Sequence, residues 1–95
     1  MLLIVCRLIV FNAIFIEEEI DMDIIKVFGR NLKHYRQATG LSQEAFAEKC
    51  GMHRTYISAI ECFRRSISLE NVQRIADALE IEAYKLLVEN KENLK

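Results

Sequence analysis

The sequence predicts an all-α fold, a compact five-helix bundle that follows an apolar N-terminal extension. The 95 residues include no proline and only three glycines, which favours helices over a turn-rich β fold. Apolar residues recur at steps of three and four along most of the chain, as on one face of an amphipathic helix. A chain of this length can bury one modest core, so we divide it into an extension, residues 1–21, and one domain, residues 22–95.

The first helix is predicted over residues 23–38, and it ends at Thr39 and Gly40, where the glycine provides a left-handed cap. The bases Arg30, Lys33 and Arg36 should face solvent. The residues expected on its apolar face are Ile24, Ile25, Phe28, Leu32 and Tyr35.

Two short helices follow, over residues 43–50 and about 54–62. Ser42 is a good N-cap for the first of them, and Gly51 stops it. Met52 should plug the corner between the two helices. The inward residues of the pair are predicted to be Phe46, Ala47, Cys50, Ile57 and Ile60.

The last two predicted helices lie after a polar loop. Ser68 caps the fourth helix, and the fifth covers residues 82–90. The apolar stripe of the fourth helix is Leu69, Val72, Ile75, Ala76 and Leu79, and that of the fifth is Tyr84, Leu87 and Val88.

The first sixteen residues of the extension are apolar except for Arg7 and Asn12. This run is shorter than the roughly 20 apolar residues of a membrane span, and its charges are in the wrong order for a signal peptide. Two further interpretations stay open. The run could be an element that packs on the domain or dimerises, or the protein could start at Met22.

The charge is uneven along the chain although the net charge is −1. Eight bases and three acids lie between residues 26 and 65, and the flanking segments are acidic. A basic middle segment favours a polyanion-binding face. The three cysteines lack metal-ligand spacing and fit reduced thiols in a cytoplasmic protein, with Cys50 in the core.

The stretch around Gly51 meets the requirements of a helix-turn-helix. Counting from Gln43, the fifth position is Ala47, where the two helices touch and a large side chain would separate them. The ninth is Gly51, where the turn needs a positive φ. Such a turn leaves the second helix exposed on the bundle, where it can enter the major groove of DNA.

Two segments carry a family resemblance: GLSQEAFA from Gly40 and RTYISAIE from Arg54. They resemble the Cro/repressor-type helix-turn-helix family, with its lambda-repressor-like fold, and are most similar to controller proteins of restriction–modification systems. The resemblance implies a dimeric regulator that binds a palindromic operator. Cys62 and Phe63 depart from the controller pattern, which puts contacts beyond Glu61 in doubt; Glu61 itself should pair with a nearby arginine.

The resemblance and side-chain chemistry together assign roles. Arg54 should read a guanine, and Gln43 should meet a phosphate and brace the recognition helix. Lys33 and Arg36 are weaker phosphate candidates. The other predicted DNA contacts are His53, Thr55, Tyr56, Ser58, Arg64, Arg65 and Ser66, and the predicted dimer contacts are Ile81, Tyr84, Leu87 and Val88.

The predicted partners are double-stranded operator DNA and a second copy of the chain, with RNA polymerase a further candidate; neither a membrane nor a small-molecule ligand is expected. No cofactor or metal site is predicted, and no phosphate-binding loop or catalytic set points to an enzyme. A phage-type repressor, an autoregulating antitoxin, a protein–protein adaptor and a membrane-tethered sensor remain alternatives.

Overall fold

The computed structural model of the protein describes residues 23–89, in which four α-helices and one 3₁₀ helix follow one another without a strand. Helix α1 spans Ile24–Thr39, α2 Gln43–Cys50, α3 Arg54–Glu61 and α4 Leu69–Leu79, and the 3₁₀ helix spans Ala83–Leu86. The all-α class is confirmed. The predicted fifth α-helix is wrong, because a single 3₁₀ turn takes its place. The predicted extension, residues 1–21, lies outside the described residues.

The helix ends follow the local sequence. Gly40 ends α1 in the left-handed region at φ 81°, and Ser42 accepts the backbone N–H of Ala45 at the start of α2. Ser68 caps α4 in the same way, through the backbone N–H of Asn71 at 3.1 Å. None of the helices between residues 23 and 89 has the length and apolarity that a membrane crossing would require.

The core lies where α1, α2, α3 and α4 meet, and the 3₁₀ helix closes one side of it. Its largest apolar side chains are almost fully enclosed, as expected for a close-packed interior. The core cluster consists of Phe28, Leu32, Phe46, Ala47, Cys50, Ile57, Ile60, Val72, Ile75, Ala76, Leu79 and Leu86.

One residue in each of the predicted apolar faces of α1 and α4 is exposed. Leu69 is 81% exposed and Ile24 is 49% exposed. Each is the first residue of its helix, so it lies at the edge of the bundle, where no preceding turn covers it. Burial starts three residues later in each helix, at Val72 and Val27.

The end of the described chain buries a residue that the predicted apolar stripe did not include. Leu86 is fully buried, whereas Tyr84 is 58% exposed. A 3₁₀ helix has three residues per turn, so it turns a different side chain inward. Asn31, which is buried in α1, donates through Nδ2 to the carbonyl oxygens of Leu86 at 2.9 Å and Val88 at 3.0 Å, and these bonds hold the turn on the core.

Candidate nucleic-acid interface

Helices α2 and α3 form a helix-turn-helix around Gly51. The glycine has φ 73°, which a residue with a side chain adopts only with strain. The next residue, Met52, donates its backbone N–H to the carbonyl of Ala47 at 2.8 Å and so closes the corner. Ala47 is buried where the helices meet. The small residue and the glycine therefore occupy the places that the sequence pattern assigned to them.

Helix α3 presents a polar face to solvent and an apolar face to the core. Ile57 and Ile60 are buried, whereas Arg54 and Thr55 at its N-terminal end are exposed. Ser58, one turn further on, is half-buried beside this face. Arg54 and Thr55 are thus open to solvent at the amino end of α3, where the helix dipole favours anions.

His53 is the N-cap of α3. Its Nδ1 accepts the backbone N–H of Thr55 at 3.2 Å, and the hydroxyl of Thr55 lies 2.8 Å from the same nitrogen. Because Nδ1 accepts a bond, the neutral ring carries its proton on Nε2. This exposed side chain therefore caps the start of the helix and also presents an N–H donor to solvent. The sequence alone did not distinguish these two roles.

Tyr56 is half-buried and is held by a network from α4. Its hydroxyl accepts a hydrogen bond from Nδ2 of Asn71 at 3.1 Å, and Asn71 in turn accepts from Arg74 at 3.2 Å. Arg74 also donates to the carbonyls of Cys50 at 2.9 Å and Gly51 at 3.0 Å. The network ties the turn of the motif and the recognition helix to α4, and neither Asn71 nor Arg74 stood out as a site residue in the sequence.

The far end of α3 is fixed by a buried ion pair. Glu61 accepts from Arg36 Nε at 2.7 Å and Nη2 at 3.0 Å, a bidentate arrangement. Gln43 donates to the same carboxylate at 2.9 Å, and Arg36 Nη1 donates to the carbonyl of Leu41 at 2.9 Å. The predicted pairing of Glu61 with an arginine is confirmed. The predicted outward position of Arg36 is wrong, because this guanidinium is enclosed between the helices and is not available to a phosphate.

The loop after α3 carries three of the predicted contacts, Arg64, Arg65 and Ser66, all exposed. The guanidinium of Arg65 lies over the ring of Tyr56, 5.1 Å from its centre, which places a positive charge beside the recognition helix. The loop thus extends the exposed polar surface of α3 with two bases.

Phe63 is one of the two residues that depart from the controller pattern, and its side chain has a structural role. This residue has φ 66°, and its ring lies against Gly29 of α1, where an added Cβ would be 2.8 Å from the ring and 2.6 Å from the carbonyl oxygen of Ile60. Arg30 lies 5.8 Å from the centre of the same ring. Glycine at position 29 therefore lets α1 approach the end of α3 closely, a requirement that helix periodicity does not reveal.

The predicted dimer residues lie at the other end of the described chain and differ in exposure. Tyr84, Leu87 and Val88 are exposed, and Ile81 is half-buried against the core. These side chains lie in and around the 3₁₀ turn rather than on an α-helix. Leu87 also lines a surface groove together with Arg65 and Ser66 of the loop after α3.

Known proteins share this architecture. A helix-turn-helix family model matches residues 32–86. A hypothetical transcription factor from Neisseria meningitidis serogroup B is 41% identical over 75 residues, which cover 79% of this chain and 71% of that protein. The crystal structure of the Neisseria factor NHTF aligns with a TM-score of 0.71 at 42% identity, covering 76% of this chain and 83% of that chain.

Controller proteins are also similar. Control protein C.SmaI of Serratia marcescens is 41% identical over 66 residues, which cover 70% of this chain and 79% of that protein. The restriction–modification controller C.Esp1396I, crystallised as a tetramer in complex with its natural 35 base-pair operator, aligns with a TM-score of 0.65 at 30% identity, covering 77% of this chain and 97% of that chain. The chain belongs to the helix-turn-helix family of transcription regulators and is similar to the restriction–modification controller proteins.

Proposed function

We propose that the protein binds a palindromic operator as a dimer and controls transcription as a restriction–modification controller does. The outer face of α3 carries this proposal. It presents Arg54 and Thr55 to solvent while Ile57 and Ile60 anchor the opposite face in the core. A helix mounted in this way can enter the major groove without rearrangement of the bundle.

Arg54 is the residue proposed to read a base. It is the first residue of α3, and its guanidinium can donate two hydrogen bonds to O6 and N7 of a guanine. Thr55, exposed beside it, is placed to meet a thymine methyl group or a phosphate. The two side chains make the amino end of α3 the part that determines specificity.

The phosphate contacts are proposed to surround this end of α3. Gln43 uses one amide N–H on Glu61, which leaves its second N–H for a phosphate at the start of α2. The Nε2 proton of His53 and the hydroxyl proton of Tyr56 are donors, because Nδ1 and the phenol oxygen already accept bonds. The remaining proposed phosphate contacts are Ser58 on α3 and Arg64, Arg65 and Ser66 in the loop after it.

The dimer contact is proposed to use Ile81, Tyr84, Leu87 and Val88. Large apolar side chains that share one exposed surface mark interaction sites. A single helix-turn-helix reads few base pairs, so a second copy on a second half-site supplies affinity and specificity. Tyr84→Glu should shift the protein to monomer in sedimentation equilibrium. Gln73→Glu, at an exposed position of α4, is the matched control.

The binding proposal is tested by selecting bound sequences from random duplex DNA with the purified full-length protein. A palindromic consensus with two half-sites about one helical turn apart is expected. Enrichment of no sequence, or of an asymmetric one, would contradict the proposal of a dimer on a palindromic operator.

The residue roles are tested by gel shift on the selected operator over a range of salt concentrations. Arg54→Ala should cost about 1–3 kcal/mol and relax the preference at one base pair of each half-site. Arg65→Ala should weaken all sequences alike and lower the salt slope by about one for each phosphate that the arginine neutralises. Lys49→Ala, which removes an exposed base from α2, is the control. Unchanged specificity in Arg54→Ala would refute the assignment of α3 as the reading helix.

Neighbouring genes separate the controller role from its alternatives. An adjacent endonuclease and methyltransferase support a controller, and an adjacent toxin gene supports an antitoxin. Residence in the cytoplasm and a contact with RNA polymerase belong to the same proposal, and co-precipitation of polymerase on operator DNA tests the second. We propose no catalytic activity, since the relatives are transcription regulators.

A further inference from the structure

An apolar groove of about 200 Å³ opens on the surface where the start of α1, the loop after α3 and the start of α4 come together. Ile24, Ile67, Leu69 and Leu87 line it together with core residues, and Arg65 lies on its rim. Ile24, Leu69 and Leu87 are all exposed. A contiguous apolar surface of this kind in a small soluble domain marks a place where another segment or molecule packs.

We propose that residues 1–16 of the same chain occupy this groove. The groove offers aliphatic walls, and the segment MLLIVCRLIVFNAIFI offers aliphatic and aromatic side chains with only Arg7 and Asn12 as polar interruptions. Burying both apolar surfaces against each other removes them from water at the same time. The proposal therefore accounts for both the apolar groove and the apolar segment, since each would be unfavourable if it were exposed to water alone.

The connection between the two is short enough to direct the segment to the groove. Residues 17–22 join the apolar segment to Asp23, and six extended residues span about 20 Å. Ile24, the first residue of α1, is itself a wall of the groove. A chain that turns back within residues 17–22 meets the groove before any more distant surface of the domain.

The charges of the connection match the rim. Glu17, Glu18, Glu19 and Asp21 lie in the connection, and the exposed Arg65 lies at the edge of the groove. Exposed ion pairs contribute little binding energy but can orient a segment. The acidic connection therefore favours an approach from the Arg65 side, while apolar burial supplies the attraction.

Cys6, near the middle of the apolar segment, provides the test. In a full-length Cys62→Ser background, Leu69→Cys and Ile67→Cys, in two separate variants, each place a thiol in the lining of the groove outside the proposed dimer contact. Mild oxidation should join Cys6 to the introduced thiol within one chain in at least one of them. Peptide mapping identifies the linkage, and circular dichroism confirms that each variant keeps its helix content.

The control is Glu48→Cys in the same background, because Glu48 is exposed on α2 and does not line the groove. The linkage at the groove should form about tenfold faster than at position 48, since disulfide rates follow the access of one thiol to the other. No linkage at either wall, or equal rates at the groove and at position 48, would overturn the proposal. Linkage between chains at Leu69→Cys, a position outside the proposed dimer contact, would also overturn it, in favour of a second copy as the occupant. The assay contains no DNA, so its outcome is independent of operator binding.

Discussion

Glu61→Ala is expected to lower the stability of the domain strongly. The carboxylate of Glu61 receives two hydrogen bonds from Arg36 and one from Gln43, at 2.7, 3.0 and 2.9 Å. The side chains of Arg36 and Glu61 are only 10% and 3% exposed. Without the carboxylate, the guanidinium would stay enclosed in the core, and its hydrogen bond to the carbonyl of Leu41 would not neutralise its charge.

The expected loss follows from the burial of the pair. Removing one partner of a buried ion pair costs about 3–5 kcal/mol, and a small domain has a total stability of about 5–15 kcal/mol. The free energy of unfolding should therefore fall by about a fifth at the least, and by most of its value if the domain lies at the lower end of that range. Glu61→Gln keeps the shape and one acceptor oxygen, so its expected cost is lower, about 1.5–3 kcal/mol.

Urea unfolding followed by circular dichroism measures these losses. The variants are Glu61→Ala, Glu61→Gln, Arg36→Ala and the double alanine variant, with Glu44→Ala at an exposed position of α2 as the control. The double variant should lose less than the sum of the single losses by about 0.5–3 kcal/mol, because each single variant leaves one polar partner unpaired. A loss below about 1 kcal/mol in Glu61→Ala, or additive single losses, would refute the assignment of a stabilising role to the pair.

Three further outcomes are expected. Gly29→Ala should lower the free energy of unfolding by about 1–3 kcal/mol, because its Cβ would meet the end of α3; an unchanged thermal midpoint would contradict this. His53→Ala should cost about 0.5–2 kcal/mol and His53→Asn much less, since asparagine also caps helices; equal losses in urea unfolding would exclude the cap. Burial raises the pKa of the Cys50 thiol from 9.0 to about 11, although Arg74 and Lys49 oppose it. The unfolded thiol ionises first as the pH rises, so this contribution to stability is complete below pH 9 and is lost as the pH rises towards 11; a flat urea midpoint over that range would contradict it.

The helix-turn-helix was predictable because its requirements are local. A left-handed glycine at position 51, a small residue at 47 and a serine cap at 42 each depend on backbone conformation within a few residues. Arg54 is exposed because it is the first residue of α3 and lies one turn before Ile57, the first buried position of the helix. The DNA and dimer contacts stay predictions that the proposed experiments test.

Contacts between distant residues were not predictable in the same way. Leu86, which the predicted apolar stripe of the last helix did not include, is buried in the core because the last turn is 3₁₀; this turn is stabilised by Asn31, which lies 55 residues before Leu86. Asn71 and Arg74 support Tyr56 and the turn from a separate helix. In the sequence these three polar residues resemble ordinary surface positions of amphipathic helices.

The sequence by itself determined where the four α-helices begin and end and which residues at the start of α3 are exposed. These features depend on caps, glycines and apolar spacing, which act over one or two turns. Only the tertiary structure decided that Arg36 turns inward to Glu61, 25 residues away, and so locks the end of the recognition helix onto α1. A charged side chain on a helix is stable in water or in a buried pair, and the packing of the other helices determines which of the two it finds.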